Sequence, residues 1–154
     1  MCNGVLEVIG SRKRGCIDDG GRKITYVIRR LRCRVCRRIH HELPDILVPY
    51  KRHASKSIEA VVEGEKALSV ACDESTLWRW RKWFEKTAVY LIGCMHAIDA
   101  RYRMEAVEGR SDLSLSVLQR IWQLVGEAPG WLARIVRPVA NLNLWLQTRF
   151  AFCP

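Results

Sequence analysis

Apolar residues recur along this chain with two different periods. From Val5 to Ile9 and again from Lys23 to Leu31 they are β-branched and partly alternate with polar positions. The two stretches are separated by Gly10, Gly15 and the turn signal Asp18-Asp19-Gly20-Gly21, which together predict a β-hairpin. Beyond residue 54 the period lengthens to that of a helix. Ile58, Val61 and Val62 share one face of a helix that Ser55 or Ser57 can cap and Gly64 ends. A weaker helical stretch, Glu65 to Val70, leads into the turn Ala71-Cys72-Asp73. There a strongly amphipathic helix begins, capped by Asp73 or Ser75, with Asp73 and Glu74 where the helix dipole favours negative charge. Leu77, Trp80, Phe84, Ala88, Leu91 and Met95 fall on one face; Ser75, Arg79, Lys82 and Lys86 fall opposite, flanked by Thr76, Trp78 and Trp83. The pattern continues through Ile98 and Tyr102 to about Glu105, with Gly93 as the point where it could break.

Two segments connect and complete these elements. His41 to His53 carries Pro44 and Pro49 and predicts an extended connector that docks apolar residues on the next unit. After the linker Glu108-Gly109-Arg110-Ser111-Asp112, Leu118, Ile121, Trp122 and Val125 mark a helix ending near Gly126. Pro129-Gly130 opens another helix, with Trp131, Leu132, Ile135 and Val136, which Pro138 kinks or restarts. Trp122, Trp131 and Trp145 read as core. The expected fold is α+β: a ribbon-like hairpin unit with its connector over residues 1–53, a helix-turn-helix region over 54–106 and a Trp-rich helical tail over 107–154.

Charge changes the picture. Lys and Arg number 26 against 16 Asp and Glu, for a net +10, and residues 1–63 hold fourteen of the basic residues against seven acidic ones. Within Arg29 to Arg38, six of ten residues are arginine, too many for nearby acids to pair, and the planar guanidinium suits phosphate. Such a segment favours a polyanion. No apolar run approaches the roughly 20 residues a membrane span needs, and the start lacks the apolar region of a signal peptide.

Seven cysteines without a secretory signal predict the cytoplasm, where grouped Cys are metal ligands more often than disulfides. Cys33-Arg34-Val35-Cys36 closes the second strand, and C-x-x-C there is half of a zinc knuckle. Redox pairs share the spacing, so the other half matters. Cys2 with Gly4 has the tail of a second knuckle, whose first Cys would precede it by three residues. His40 or His41 could instead complete the four. Cys72, Cys94 and Cys153 read as small buried apolar residues.

The run Gly10 to Arg14, Arg30 to Cys36, His41-Glu42-Leu43-Pro44-Asp45, Val48-Pro49-Tyr50-Lys51-Arg52-His53 and Glu74 to Trp80 resembles an uncharacterised bacterial domain family. That family is similar to the N-terminal zinc-ribbon and helix-turn-helix regions of insertion-sequence transposases. The resemblance covers roughly residues 2 to 105 and implies DNA binding linked to mobile elements, with Cys2, Cys33 and Cys36 as ligand positions for Zn²⁺. The departure from the pattern is the first Cys of the N-terminal knuckle.

The function expected is therefore non-catalytic binding of double-stranded DNA in the cytoplasm, at the nucleoid. Its candidate contacts are Ser75, Thr76, Arg79 and Lys82 on the helix and Arg34, Arg37 and Arg38 on the ribbon; its metal set is Cys2, Cys33, Cys36 and His40. A transposase proper would need spaced carboxylates for two Mg²⁺ ions, and the stretch after the linker is too short for a nuclease fold. The alternative is an adaptor for protein or RNA that docks, or self-associates, through its Trp-rich tail.

Overall fold

The computed structural model describes residues 4–64, 70–102 and 114–145. Strand β1 (Leu6–Ile17) pairs antiparallel with β2 (Lys23–Cys33), and a third strand, β3 (Ile39–His41), adds to the far edge of β2. Four helices follow: α1 (Ser55–Glu63), α2 (Glu74–Tyr102), α3 (Val117–Val125) and α4 (Trp131–Asn141). The expected α+β order is present, but the ribbon is longer than the hydrophobic pattern predicts. Gly10 to Arg14 belongs to β1, where backbone pairing with Tyr26 to Arg30 suffices without an apolar side-chain signal. A bulge at Ile9, between Val8 and Gly10, resets the register there.

Register sorts the ribbon into faces. Arg12, Arg14 and Cys16 stand opposite Ile28, Tyr26 and Ile24, so these six share one face. Ile28 and Cys16 on it are buried against the helical body. The connector docks as expected, burying Leu43, Leu47 and Val48. Arg52 O accepts the Ile17 N–H at 2.7 Å and Ile17 O accepts the Ala54 N–H at 2.9 Å, which locks the end of β1 to the start of α1.

Ser55 does not cap α1. Nor does Ser57: both serines lie inside the helix, Ala54 holds the cap position without a side-chain bond, and the Ser55 hydroxyl donates to Asp45 O at 2.7 Å. Gly64 ends the helix in the left-handed region (φ 77°), where a side chain would be strained. The short helix expected from Glu65 lies almost entirely outside the described residues.

Helix α2 runs unbroken through Gly93, and its phase is the expected one: Trp80, Phe84, Ala88, Leu91 and Met95 are all buried. Trp83, expected beside the polar face, is buried as well, because the connector and Trp145 cover it. Helices α1, α3 and α4 pack on α2, and one core runs from Cys16 and Ile28 through Trp131 and Trp145. Phe84 meets Trp131 edge-on at 5.6 Å. Helix α4 carries Pro138 inside it without restarting and ends at Asn141; Asn143, two residues on, takes the left-handed conformation (φ 57°).

Candidate nucleic-acid interface

Residues 6–41 carry eleven Lys and Arg against three Asp and Glu, and two of those acids are committed inside the ribbon. Arg34 donates to Glu7, which holds that carboxyl below its usual range. The Arg22 backbone N–H and guanidinium do the same to Asp18. Asp19 faces Lys56, and Glu42, just beyond β3, binds Arg29 through two hydrogen bonds of 2.6 and 2.9 Å. Among the described residues no acid pairs with Arg12, Lys13, Lys23, Arg30, Arg32, Arg37 or Arg38. Of the ribbon candidates, then, Arg37 and Arg38 make no close ion pair among the described residues, although the charge of Arg37 helps to lower the Glu7 carboxyl, and Arg34 is already in an ion pair.

The ribbon is long. A strand of twelve residues is roughly 40 Å long at about 3.3 Å per residue. Val8 and Val27 stand 58% and 66% exposed between the basic positions, giving apolar surface of the kind that contacts thymine methyl groups.

Helix α2 presents its candidates differently. Arg79 and Lys82 are exposed, but Lys82 binds Glu85 at 2.8 Å. Ser75 and Thr76 turn their hydroxyls onto the Asp73 carboxylate, at 2.6 and 3.3 Å, and the Thr76 backbone N–H donates to it at 2.7 Å. Those bonds make Asp73 the cap and hold its carboxyl below the usual range. The leading end of the helix therefore carries Asp73 and Glu74, and its two hydroxyls are internally engaged. Trp78, 60% exposed beside Arg79, is an aromatic surface that the periodicity placed only at the flank.

The Cys33-Cys36 segment forms a tight turn. Cys36 N–H points at Cys33 Sγ (3.5 Å), Arg37 N–H donates to Cys33 O (3.0 Å), and Arg37 is left-handed (φ 62°), sending the chain back so that Cys33 N–H reaches Arg38 O. The N-terminal segment passes close by: Arg34 N–H donates to Val5 O at 3.0 Å, and a Cβ on Gly4 would lie 2.5 Å from Cys33 Sγ. Cys2 itself lies outside the described residues, as does Cys153. Among the described residues no three His, Cys, Asp or Glu side chains converge on one point, so His40 is not brought to the cysteine pair. Its Nδ1 instead lies 2.9 Å from Asn143 Nδ2, at the end of α4.

Three contacts tie the ribbon and helices together through residues that local patterns do not mark. Lys51 lies over the Trp83 ring, 4.6 Å from its centroid, and burial lowers the ammonium pKa. His53 meets Trp80 edge-on at 4.8 Å; burial lowers its pKa too, opposed by Asp73. Arg14 crosses from β1 to donate to Val48 O and Lys51 O.

The arrangement defines a class first: an α+β protein in which a long basic β-ribbon is locked by a Pro-bearing connector onto a helical body. Residues 1–80 match the domain of unknown function DUF6431, and the chain belongs to that family. The match takes in the ribbon, the connector, α1 and α2 as far as Trp80. No curated protein and no solved structure matches the chain. No helix among the described residues is long and apolar enough to cross a membrane.

Proposed function

We propose that this protein binds double-stranded DNA without catalysis, with the basic ribbon as its principal contact and the Arg79 face of α2 as a secondary one. The observation that carries the reading is the row of ribbon arginines and lysines without acid partners among the described residues. Each phosphate contact made by such a group releases counterions, and the gain is largest where no intramolecular ion pair must first be broken. The resemblance to the N-terminal regions of insertion-sequence transposases supports an origin in a mobile element. Ser75 and Thr76 remain candidate contacts only if Asp73 releases their hydroxyls.

Zinc fits the same reading as a structural cross-link. Cys33 and Cys36 would supply two thiolates from the knuckle, and Cys2 a third from the segment that passes Gly4. Tying those ends together would fix the ribbon end that carries Arg34, Arg37 and Arg38.

The adaptor reading would need other residues of the tail than Trp131 and Trp145, which are core, at 0% and 3% exposed. The experiment that decides is affinity as a function of salt, for duplex DNA beside single-stranded RNA of equal charge. A steep negative slope with preference for the duplex is the expected result. Equal or tighter binding of the RNA would replace this reading by the adaptor one.

A further inference from the structure

A cavity of about 130 Å³ opens between the inward face of the ribbon and the end of α4. Arg12 and Arg14 from β1, His41 from β3, Tyr50 from the connector, and Asn143 and Trp145 after α4 line it. Among the described residues no acidic side chain does. Arg14 is half-buried, and its Nη2 donates to the carbonyls of Lys51 (3.0 Å) and Val48 (3.4 Å). Neither its guanidinium nor that of Arg12 is paired with a carboxylate among the described residues. Two positive forks thus border one small space, and partial burial of Arg14 strengthens its pull on an anion.

The walls are also held in place. Tyr50 adopts φ 61° and Asn143 φ 57°, so two of the three non-glycine left-handed residues of the described chain border this cavity. The turn at Tyr50 is closed by the Lys51 N–H to Val48 O bond (3.2 Å), and those same two residues accept from Arg14. Left-handed backbone at a bulky residue is costly and is found where a site needs it. Guanidinium forks match the oxygens of a phosphate, and a tyrosine hydroxyl and an asparagine amide add neutral donors. At roughly four water volumes the cavity takes a single tetrahedral group and leaves any attached sugar outside.

We infer that this cavity binds one phosphate group. The inference rests on the nucleic-acid reading only for the source of that phosphate, which is either an internal diester or a strand-terminal monoester of bound DNA.

The test uses the full chain and Arg12→Gln, whose exposed side chain has no partner that folding requires. Inorganic phosphate is titrated against chloride at constant ionic strength while amide NMR signals of Arg12, Tyr50 and Asn143 are followed. Duplexes with 5′-phosphate or 5′-hydroxyl ends are then bound to both proteins. The expected result is saturable shifts with phosphate alone, weakened roughly tenfold or more in Arg12→Gln, the weight of one charge-assisted hydrogen bond. An advantage of the 5′-phosphate duplex that the variant loses identifies the terminal monoester; equal binding of both duplexes, each weakened in the variant, identifies the diester. Saturable phosphate binding with no duplex binding keeps the cavity and removes the DNA reading. Phosphate indistinguishable from chloride overturns the inference, whatever the duplexes do, because any effect of Arg12 on DNA would then be surface charge.

Discussion

The Glu59 carboxylate, buried at 5% exposure, reaches from α1 to accept the backbone N–H of Leu132 at 2.9 Å, and its other oxygen accepts from Gly130 at 2.6 Å. Helix α4 has no side-chain cap of its own, so a residue more than seventy positions earlier supplies it. Negative charge at a helix N-terminus is favoured by the free N–H groups and by the dipole. One turn on, Glu63 accepts from Trp131 Nε1 at 2.6 Å. Helix α1 therefore fixes where the tail sits.

Glu59→Ala should lower stability by about 3 kcal/mol, because it removes the acceptor and leaves two N–H groups orphaned in a dry interface. Urea denaturation measures this, with far-UV dichroism to show that the variant still folds in water. A loss below about 0.5 kcal/mol would mean that water reaches the start of α4.

Acid should destabilise the fold in two stages. Burial holds the His53 imidazole below its unfolded value near 6.5, so the unfolded chain binds more protons between the two values. Its contribution is complete above pH of about 6.5 and is lost as pH falls through the folded value. His41, lowered by burial and by Arg12 and Arg30, acts in the same window. Glu7, Asp18, Glu42 and Asp73 are depressed by their hydrogen-bond donors, so their contributions are complete above roughly pH 4.5 and are lost below it. His53→Gln should flatten the upper stage and leave the lower one. Denaturation midpoints across the range decide; identical pH slopes for both proteins between neutrality and pH of about 5 would remove His53 from the account.

How much of this was readable in advance depended on whether a local period carried the information. The phase of helix α2 is legible because six apolar positions repeat at helical spacing, and of the two capping candidates, Asp73 and Ser75, Asp73 takes the role. The full length of the ribbon is not legible, because Gly10 to Arg14 has the composition of a loop, while a β-ladder is held by backbone groups that any residue provides. Strand β3, three residues around His40 and His41, has no pattern to find. Ser55 looked like a cap, but the hydroxyl went to Asp45, and that choice is made by tertiary docking. Glu59 left a trace: it lies at helical spacing from Ser55 and Val62, an acid on the face that packs. The cavity of Arg12, Tyr50 and Asn143 left none, since it forms only when residues far apart in the chain meet. The arginine cluster, by contrast, was plain from composition, although which arginines are already engaged was not.

That distinction can be measured. Arg37→Ala with Arg38→Ala should lower the magnitude of the salt slope for duplex binding by about two, with little change in melting, because neither residue is paired within the described fold. Arg79→Ala with Lys82→Ala should lower it by at most about two and closer to one, since Lys82 is already held by Glu85. An unchanged slope in the folded Arg37 and Arg38 variant would remove the ribbon from the interface.

Metal content tests the knuckle. If Cys33 and Cys36 hold zinc with Cys2, protein purified under reducing conditions should carry about one zinc per chain, and a strong chelator should lower the melting temperature. Cys36→Ser should produce the same loss, and chelator should then have no further effect, because both remove one interaction. Affinity should fall with acidity, since thiolates must be deprotonated to bind. The effect on DNA has a direction too: releasing the knuckle loosens the ribbon end bearing Arg37 and Arg38, so the chelated protein should bind duplex more weakly while the α2 contribution persists. Zinc-free protein whose melting ignores both chelator and added zinc would leave Cys33 as a buried thiol closing a turn. Gly4 would then be needed only for its close approach to that sulfur, where Gly4→Ala should destabilise with or without metal.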